Sequence, residues 1–380
     1  MDLSHELGYD YTTGYCEVKY DHKAGKKTHE LYYEIHGKGP KRLMLVQGLS
    51  LPGRFWHYVI REYLKKGDYS ILIFDNRGVG RSGVPLRWWY STKSMAKDAL
   101  KLLDFVGWTS DVHLVGTSMG GMIAQWMAAY RPDYFLSLTL TSTTSGRLIP
   151  PTLTDIFGVP WTGIAITHET RSQRIANICF PKDFMRLPSD ANGCESMRDE
   201  IEKAYTHFYE ISDRQRLFGN ARQMIGVVLH YLPMKMSDRI VDSGIPVMVF
   251  HGTEDRLIPA WRGEILAKRL RARFQIFKGG GHQLMDQFPD KYCELIEKNI
   301  RESEIKAADF LTPIKERGLN EIEKGLVSVV VDHPRAERRP VRGYGDKAEY
   351  VSDEEDLKIT SQHVEYAARN PPPAAVPVGA

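Results

Sequence analysis

One hexapeptide constrains the fold more than any other part of the chain: Gly-Thr-Ser-Met-Gly-Gly at residues 116–121. It follows an apolar run at 112–115 and opens a second, periodic apolar run at 122–129. This order predicts a strand, a sharp turn and a helix, with the hydroxyl of Ser118 held above the end of a sheet. Flanking glycines suit the turn, because a Cβ beside the strained serine would clash.

A serine hydroxyl becomes a strong nucleophile only when a base removes its proton, and the base needs an orienting acid. On a sheet of this kind the chain order is serine, acid, histidine. A predicted strand at 245–250 runs into His-Gly-Thr-Glu-Asp, which ends at Asp255. Asp255 is therefore the candidate acid, and spacing alone leaves Glu254 as the alternative.

The candidate base is His282. It follows a short predicted strand at 274–277 and three consecutive glycines, which allow the loop to bend close to other residues. The chain contains 13 histidines, so the position after the last strand is what distinguishes this one.

Acyl transfer places negative charge on a carbonyl oxygen, which backbone N–H groups stabilise. One donor is predicted to be Met119, directly after the nucleophile. The second is predicted to be Leu49, in a Gln-Gly-Leu-Ser loop after an early strand at 42–46. A plain glycine turn is the alternative for that loop.

With these residues in place, the chain resembles the α/β-hydrolase fold superfamily over about residues 28–300. The loop at 74–82 (Phe-Asp-Asn-Arg-Gly-Val-Gly-Arg-Ser) also matches. The branch it resembles holds carboxylesterases, methyl esterases, enol-lactonases and C–C bond hydrolases. The resemblance implies an α/β fold: a mostly parallel, eight-stranded sheet with helices on both faces and a helical cap inserted after strand 6. It argues against dehalogenases and epoxide hydrolases, which have aspartate where this chain has Ser118.

Two features of the resemblance need interpretation. Many members have His-Gly where this chain has Gln47-Gly48, and an amide can hydrogen-bond within the loop much as an imidazole does. Asp75 and Arg77 are interpreted as residues that fix their own loop by side-chain-to-backbone bonds, without a direct role in catalysis.

The chain divides by composition into three parts. Residues 1–143 and 241–305 form the hydrolase core, in which strands alternate with helices as expected for a parallel sheet. Residues 144–240 are rich in proline and helical patterns and are assigned to the cap. Residues 306–380 form a charged, proline-rich extension, predicted to be largely disordered after about residue 332.

Two segments outside the core carry secondary hypotheses. Residues 156–166 are the most apolar part of the cap; we expect packing against the body, with a substrate wall or a peripheral lipid contact as alternatives. Ser352 precedes four acidic residues, an arrangement typical of acid-directed kinase sites, although serines in acidic tails are common.

Bulk properties narrow the class of protein. The formal net charge of +3 is too small to indicate nucleic-acid binding, and 42% hydrophobic residues support a packed core. The four cysteines have neither disulfide nor metal spacing. With no signal peptide and no apolar run long enough to span a bilayer, we expect a cytoplasmic protein. We expect no metal or organic cofactor, because the serine mechanism needs none.

The sequence therefore predicts a serine hydrolase that cleaves a carboxylic ester of a small hydrophobic or lipid-like molecule. Two alternatives use the same fold. A lipase, thioesterase or acyltransferase would employ the same triad, and a non-catalytic small-molecule receptor would employ only the scaffold.

Overall fold

A computed structural model of the chain describes residues 11–22, 25–85, 90–146, 167–211 and 217–305. All of these residues belong to one compact unit. The hypotheses about 156–166, about Ser352 and about the extension after residue 305 lie outside the described residues.

Eight strands form a single sheet in the order β1-β2-β4-β3-β5-β6-β7-β8. Their bounds are β1 Tyr11–His22, β2 Gly25–His36, β3 Lys41–Val46, β4 Tyr69–Phe74, β5 Val112–Thr117, β6 Phe135–Thr141, β7 Val247–Gly252 and β8 Arg273–Phe277. Strand β2 runs antiparallel to both of its neighbours, and all other neighbouring pairs are parallel. The predicted mostly parallel, eight-stranded sheet is confirmed.

The described helices cover both faces of the sheet. They are α1 His57–Leu64, α2 Thr92–Phe105, α3 Met119–Tyr130, α4 His168–Cys179, α5 Lys182–Met185, α6 Met197–Ile211, α7 Leu217–Val228, α8 Met234–Asp242, α9 Ala260–Arg269, α10 Leu284–Gln287 and α11 (residues 289–305). Helix α2 starts in a capping box, in which Ser91 and Ser94 each accept the backbone N–H of the other. No helix among them combines the length and the apolar composition needed to cross a bilayer.

Side chains of the central strands alternate between two buried clusters. On β3, Leu43 and Leu45 face a cluster formed with α1 and α11, whereas Met44 and Val46 face a cluster formed with α2 and α3. The alternation follows from the two-residue period of a strand, and burial of both faces explains why these strands are almost wholly apolar.

Helices α4–α7, the first four of the five described helices between β6 and β7, are called the insert helices here. Helices α4, α5 and α6 share a third buried apolar cluster, to which Leu51 and Phe55 also belong. The phenyl ring of Phe55 packs edge-on against Tyr205 of α6, with 5.0 Å between ring centroids. Helices α4–α6 therefore have an apolar core of their own, which adjoins the loop after β3.

Candidate active site

Ser118 lies in the turn between β5 and α3, as the hexapeptide indicated. Its backbone angles are φ 53° and ψ −123°, a conformation that costs a non-glycine residue about 1–3 kcal/mol. Its N–H donates to Thr141 O on β6 at 2.8 Å. Ser118 is half-buried, whereas its neighbours Thr117 and Met119 are buried, so the turn exposes the serine selectively.

The glycines around Ser118 permit close approach of the backbone. A Cβ on Gly120 would lie 2.1 Å from Val46 O, and one on Gly116 would lie 2.5 Å from Gly120 O. A Cβ on Gly48 would lie 3.2 Å from the Cβ of Ser118. Because glycine has no side chain at these positions, β3, the loop that follows it and the turn at Ser118 can pack closely against one another.

The ends of four parallel strands are tied to one another near Ser118. Because carboxyl ends of parallel strands meet at one edge of a sheet, the loops after β5, β7 and β8 emerge at the same rim. Hydrogen bonds link these ends in sequence: Ser118 N to Thr141 O, Ser142 N to Phe250 O, Thr253 N to Phe277 O and Glu254 N to Gly280 O.

The structure brings His282 and Asp255 into direct contact, with 2.8 Å between His282 Nδ1 and Asp255 Oδ2. A carboxylate has no proton to give, so Nδ1 is the donor of this hydrogen bond. In the neutral imidazole, Nε2 is then left without a proton and can accept one. Glu254, the alternative acid, is exposed to solvent.

Asp255 is held by several donors besides His282. Its Oδ1 accepts the N–H groups of Leu257 and Ile258, at 2.9 and 3.0 Å. Burial alone would raise the pKa of Asp255, but the positive charge of His282 and hydrogen bonds from two histidines hold that pKa well below its usual range. The carboxylate is therefore ionised and fixed in orientation.

The second histidine on Asp255 is His251, which the sequence reasoning passed over. Its Nε2 lies 2.6 Å from Ile258 O and 3.3 Å from Asp255 Oδ2, and its side chain is fully buried. Both neighbours are acceptors, so Nε2 carries the proton. A signal was present in the sequence: His251 directly follows the strand predicted at 245–250 and stands four residues before Asp255.

His282 is also held through its backbone. Its N–H donates to Cys179 O, at the end of α4, at 2.7 Å. The structure does not bring Ser118 and His282 into hydrogen-bond contact: no such bond joins them within the described residues. Contacts of this kind are often long in the absence of substrate and tighten only in the complex.

The loop of residues 47–50 lies beside Ser118. Gln47 Oε1 accepts the N–H of Gly48 at 2.7 Å, so the amide hydrogen-bonds within the loop as expected. In the described part of the chain, neither Leu49 N–H nor Met119 N–H donates to a protein acceptor. Both N–H groups are therefore unpaired among the described residues.

The side chains of Asp75 and Arg77 form hydrogen bonds with segments outside their own loop. Asp75 accepts Arg81 N–H within its own loop at 2.9 Å, but also Gly53 N–H of another loop at 2.8 Å. The interpretation of Arg77 as a residue that fixes its own loop by side-chain-to-backbone bonds is wrong, because the hydrogen bonds that its side chain donates go to α2. Its guanidinium is paired with Asp98 on α2 through two hydrogen bonds, because a buried cation requires a counter-charge.

Comparison with known proteins identifies the family of the fold. The family model for the alpha/beta hydrolase fold matches residues 41–289. "Putative carbamate hydrolase RutD" of Azorhizobium caulinodans is 24% identical over 276 residues, covering 70% of this chain and 93% of the relative.

Two solved structures share the fold. A thermophilic esterase from Thermogutta terrifontis has a TM-score of 0.58 at 20% identity, covering 76% of this chain and 98% of the other. The enol-lactonase from Burkholderia xenovorans LB400 has a TM-score of 0.59 at 19% identity, covering 75% of this chain and all of the other. From the family match over most of its length, this chain belongs to the alpha/beta hydrolase fold family.

Proposed function

We propose that the protein is a serine hydrolase that cleaves carboxylic esters through an acyl-enzyme formed on Ser118. The observation that supports this most strongly is the 2.8 Å contact between His282 Nδ1 and Asp255 Oδ2, at the sheet edge that also carries Ser118. A buried histidine oriented by an ionised carboxylate is the arrangement that activates a serine hydroxyl.

In the first half of the reaction, Ser118 Oγ attacks the acyl carbon while His282 Nε2 accepts its proton. The oxyanion of the tetrahedral intermediate is stabilised by the N–H groups of Leu49 and Met119. His282 then protonates the leaving alcohol, and the acyl group remains on Ser118. Asp255 keeps the imidazole in the required tautomer and stabilises its positive form.

In the second half, water takes the place of the alcohol. His282 removes a proton from the water, which attacks the acyl carbon of the ester on Ser118. Collapse of the second tetrahedral intermediate returns the proton to Ser118 Oγ and releases the carboxylic acid. The sequence of steps uses only side chains, backbone N–H groups and water.

The insert helices are proposed to form the cap of this site. Two contacts support the role: Cys179 O at the end of α4 accepts the N–H of His282, and Arg171 of α4 donates to Ser50 O at 2.9 Å. The helices thus touch both the histidine loop and the loop of the proposed oxyanion donor. A cap in this position would exclude water and shape the acyl pocket.

A second candidate substrate class is the carbamate. It is favoured by the likeness to the relative named as a carbamate hydrolase, which extends over 70% of this chain. The same residues could serve both reactions, because each begins with attack of a serine on a carbonyl carbon. The two differ in the group that remains on Ser118 after the alcohol leaves, which is an acyl group for an ester and a carbamoyl group for a carbamate; water then releases a carboxylic acid in one case and a carbamic acid in the other.

A fluorophosphonate probe tests the nucleophile. We expect the probe to label Ser118 in the wild type and to label nothing at this site in Ser118→Ala. The matched control is Ser142→Ala, which removes another serine with positive φ from the end of the adjacent strand β6. Absence of labelling in folded wild type would favour a binding protein over an enzyme.

A substrate panel tests the bond that is cleaved. Activated esters of increasing acyl length are compared with carbamates of matched leaving groups, with and without an added alcohol acceptor. We expect the highest kcat/KM for an ester and the free acid as product. Faster carbamate cleavage would support the second candidate, and acyl transfer to the alcohol would indicate an acyltransferase.

A further inference from the structure

The loop of residues 47–50 is fixed on both sides of a single peptide group. On one side, Gly48 N–H donates to Gln47 Oε1, and Gln47 O accepts from Asn76 Nδ2 at 3.2 Å. On the other side, Ser50 N–H donates to Gln223 Oε1 at 3.1 Å. The peptide group between these two fixed peptide groups contains the N–H of Leu49. Its direction is therefore set by its two neighbours, since each peptide group is planar and rotates only about its flanking bonds.

Ser50 adopts a left-handed conformation with φ 65°, which costs a non-glycine residue about 1–2 kcal/mol. Such a conformation persists only where the surroundings enforce it. Here both polar groups of the Ser50 backbone are held by the insert helices: N–H by Gln223 of α7, and C=O by the guanidinium of Arg171 of α4 at 2.9 Å.

Gln223 is itself held in one orientation. Its side chain is completely buried, and its Nε2 donates to Arg77 O at 2.9 Å. One turn earlier on α7, Gly219 lies so close to the loop after β4 that an added Cβ would be 2.2 Å from Gly78 O. The amide of Gln223 thus links the loop after β3 to the loop after β4, with its Oε1 directed to the former.

We propose that Gln223 and Arg171 are positioning residues that orient the oxyanion donor Leu49 N–H. The inference rests on the proposed function, and it adds a dependence of the chemical step on the insert helices. Neither side chain contacts the reacting atoms in this account. Each stabilises the conformation of Ser50 from which the direction of Leu49 N–H follows, so their loss should weaken transition-state binding more than substrate binding.

The test compares Gln223→Met and Arg171→Met with Arg222→Met. Arg222 is the matched control, because it also joins α7 to the body, through a 3.0 Å bond to Pro85 O, without touching the 47–50 loop. The probes are the 4-nitrophenyl ester that wild type hydrolyses fastest and the trifluoromethyl ketone of the same acyl chain. The ketone forms a tetrahedral adduct that needs the oxyanion donors, whereas ester binding needs them less.

We expect Gln223→Met and Arg171→Met to lower kcat about 10- to 100-fold with KM within about twofold, and to weaken ketone inhibition by the same factor as kcat/KM. Arg222→Met should leave kcat and ketone inhibition unchanged. The inference is overturned if the first two variants change only KM or thermal stability. If one fails to fold, the other decides the result, since both act on Ser50.

Failure of the proposed function gives a different result. In that case the wild type itself would not be labelled at Ser118 by a fluorophosphonate. A wild type that is labelled, together with a Gln223→Met variant that keeps its kcat and its ketone affinity, would refute the positioning role alone.

Discussion

His251 Nε2 lies 3.3 Å from Asp255 Oδ2, the same carboxylate oxygen that His282 Nδ1 contacts at 2.8 Å. Asp255 is thus shared between His282, in the loop after β8, and the fully buried His251 at the end of β7. The inner histidine also bonds Ile258 O, which fixes its ring. Two donors on one oxygen restrict the carboxylate to one rotamer, and this arrangement leads to the first two predictions.

Replacement of Asp255 by asparagine should lower kcat about 10^4-fold, because an amide can donate to Nδ1 and so favour the imidazole tautomer with its proton on Nε2. The measurement is kcat on the best activated ester. Glu254→Gln is the control, since Glu254 is the adjacent acid but is exposed. The kcat of Glu254→Gln should stay within about twofold of the wild-type value. A larger loss in Glu254→Gln than in Asp255→Asn would reverse the assignment of the acid.

Replacement of His251 by phenylalanine should lower kcat about tenfold and the free energy of unfolding by about 1–3 kcal/mol, because Ile258 O loses its donor. The stability loss has a pH dependence. The depressed pKa of Asp255 stabilises the fold above the ordinary value of 3.8, and this contribution is lost as the pH falls. Because the variant depresses that pKa less, the difference from wild type should be constant above about pH 4 and narrow below it.

Urea unfolding of both proteins between pH 3 and pH 7 measures this difference. A gap that does not change with pH would mean that His251 has no influence on the ionisation of Asp255.

For Asp286 we expect the free energy of unfolding to depend on pH in the opposite direction. Burial raises the pKa of its carboxyl from 3.8 to about 7, and Tyr205 of α6 donates a hydrogen bond to it. A raised pKa stabilises the fold at low pH, and this contribution is lost as the pH rises from about 4 to about 7. Asp286→Asn keeps an acceptor for Tyr205 but cannot ionise. Relative to this variant, wild type should lose up to about 1.4 kcal/mol per pH unit in that range.

Chemical denaturation of the two proteins at pH 5, 6, 7 and 8 provides the comparison. Parallel stability curves would show that Asp286 keeps an ordinary pKa in the folded protein.

Gly219→Ala tests the docking of α7. The new Cβ would lie 2.2 Å from Gly78 O, a backbone atom that cannot move aside easily. We expect a loss of about 1–3 kcal/mol in the free energy of unfolding and a lower kcat, because the shift withdraws Gln223 from Ser50. The control is Ile225→Ala on the outer face of the same helix, where the side chain is 40% exposed. Equal stability and activity in both variants would contradict the close packing of α7.

The predicted elements that the structure confirmed are those encoded by adjacent residues. The strand, turn and helix around Ser118 follow from apolar runs and glycines within about twenty positions. Predicting that Asp255 and His282 lie at the same sheet edge as Ser118 required only that each follow a parallel strand. The mutual contact of Asp255 and His282 is consistent with this reasoning, because parallel strands end at one edge whatever the loops between them contain.

Contacts between segments distant in the chain could not be predicted from sequence patterns. Gln223 and Ser50 are separated by 173 residues, and periodicity places Gln223 on a helix without indicating which loop that helix covers. Arg77 pairs with Asp98 rather than with its own loop, for a similar reason. The sequence by itself indicated the parallel strands and the candidate residues that follow them, Ser118, Asp255 and His282. Only tertiary packing decided which side chains hold those residues in place, because a side chain's partner depends on how its whole element docks.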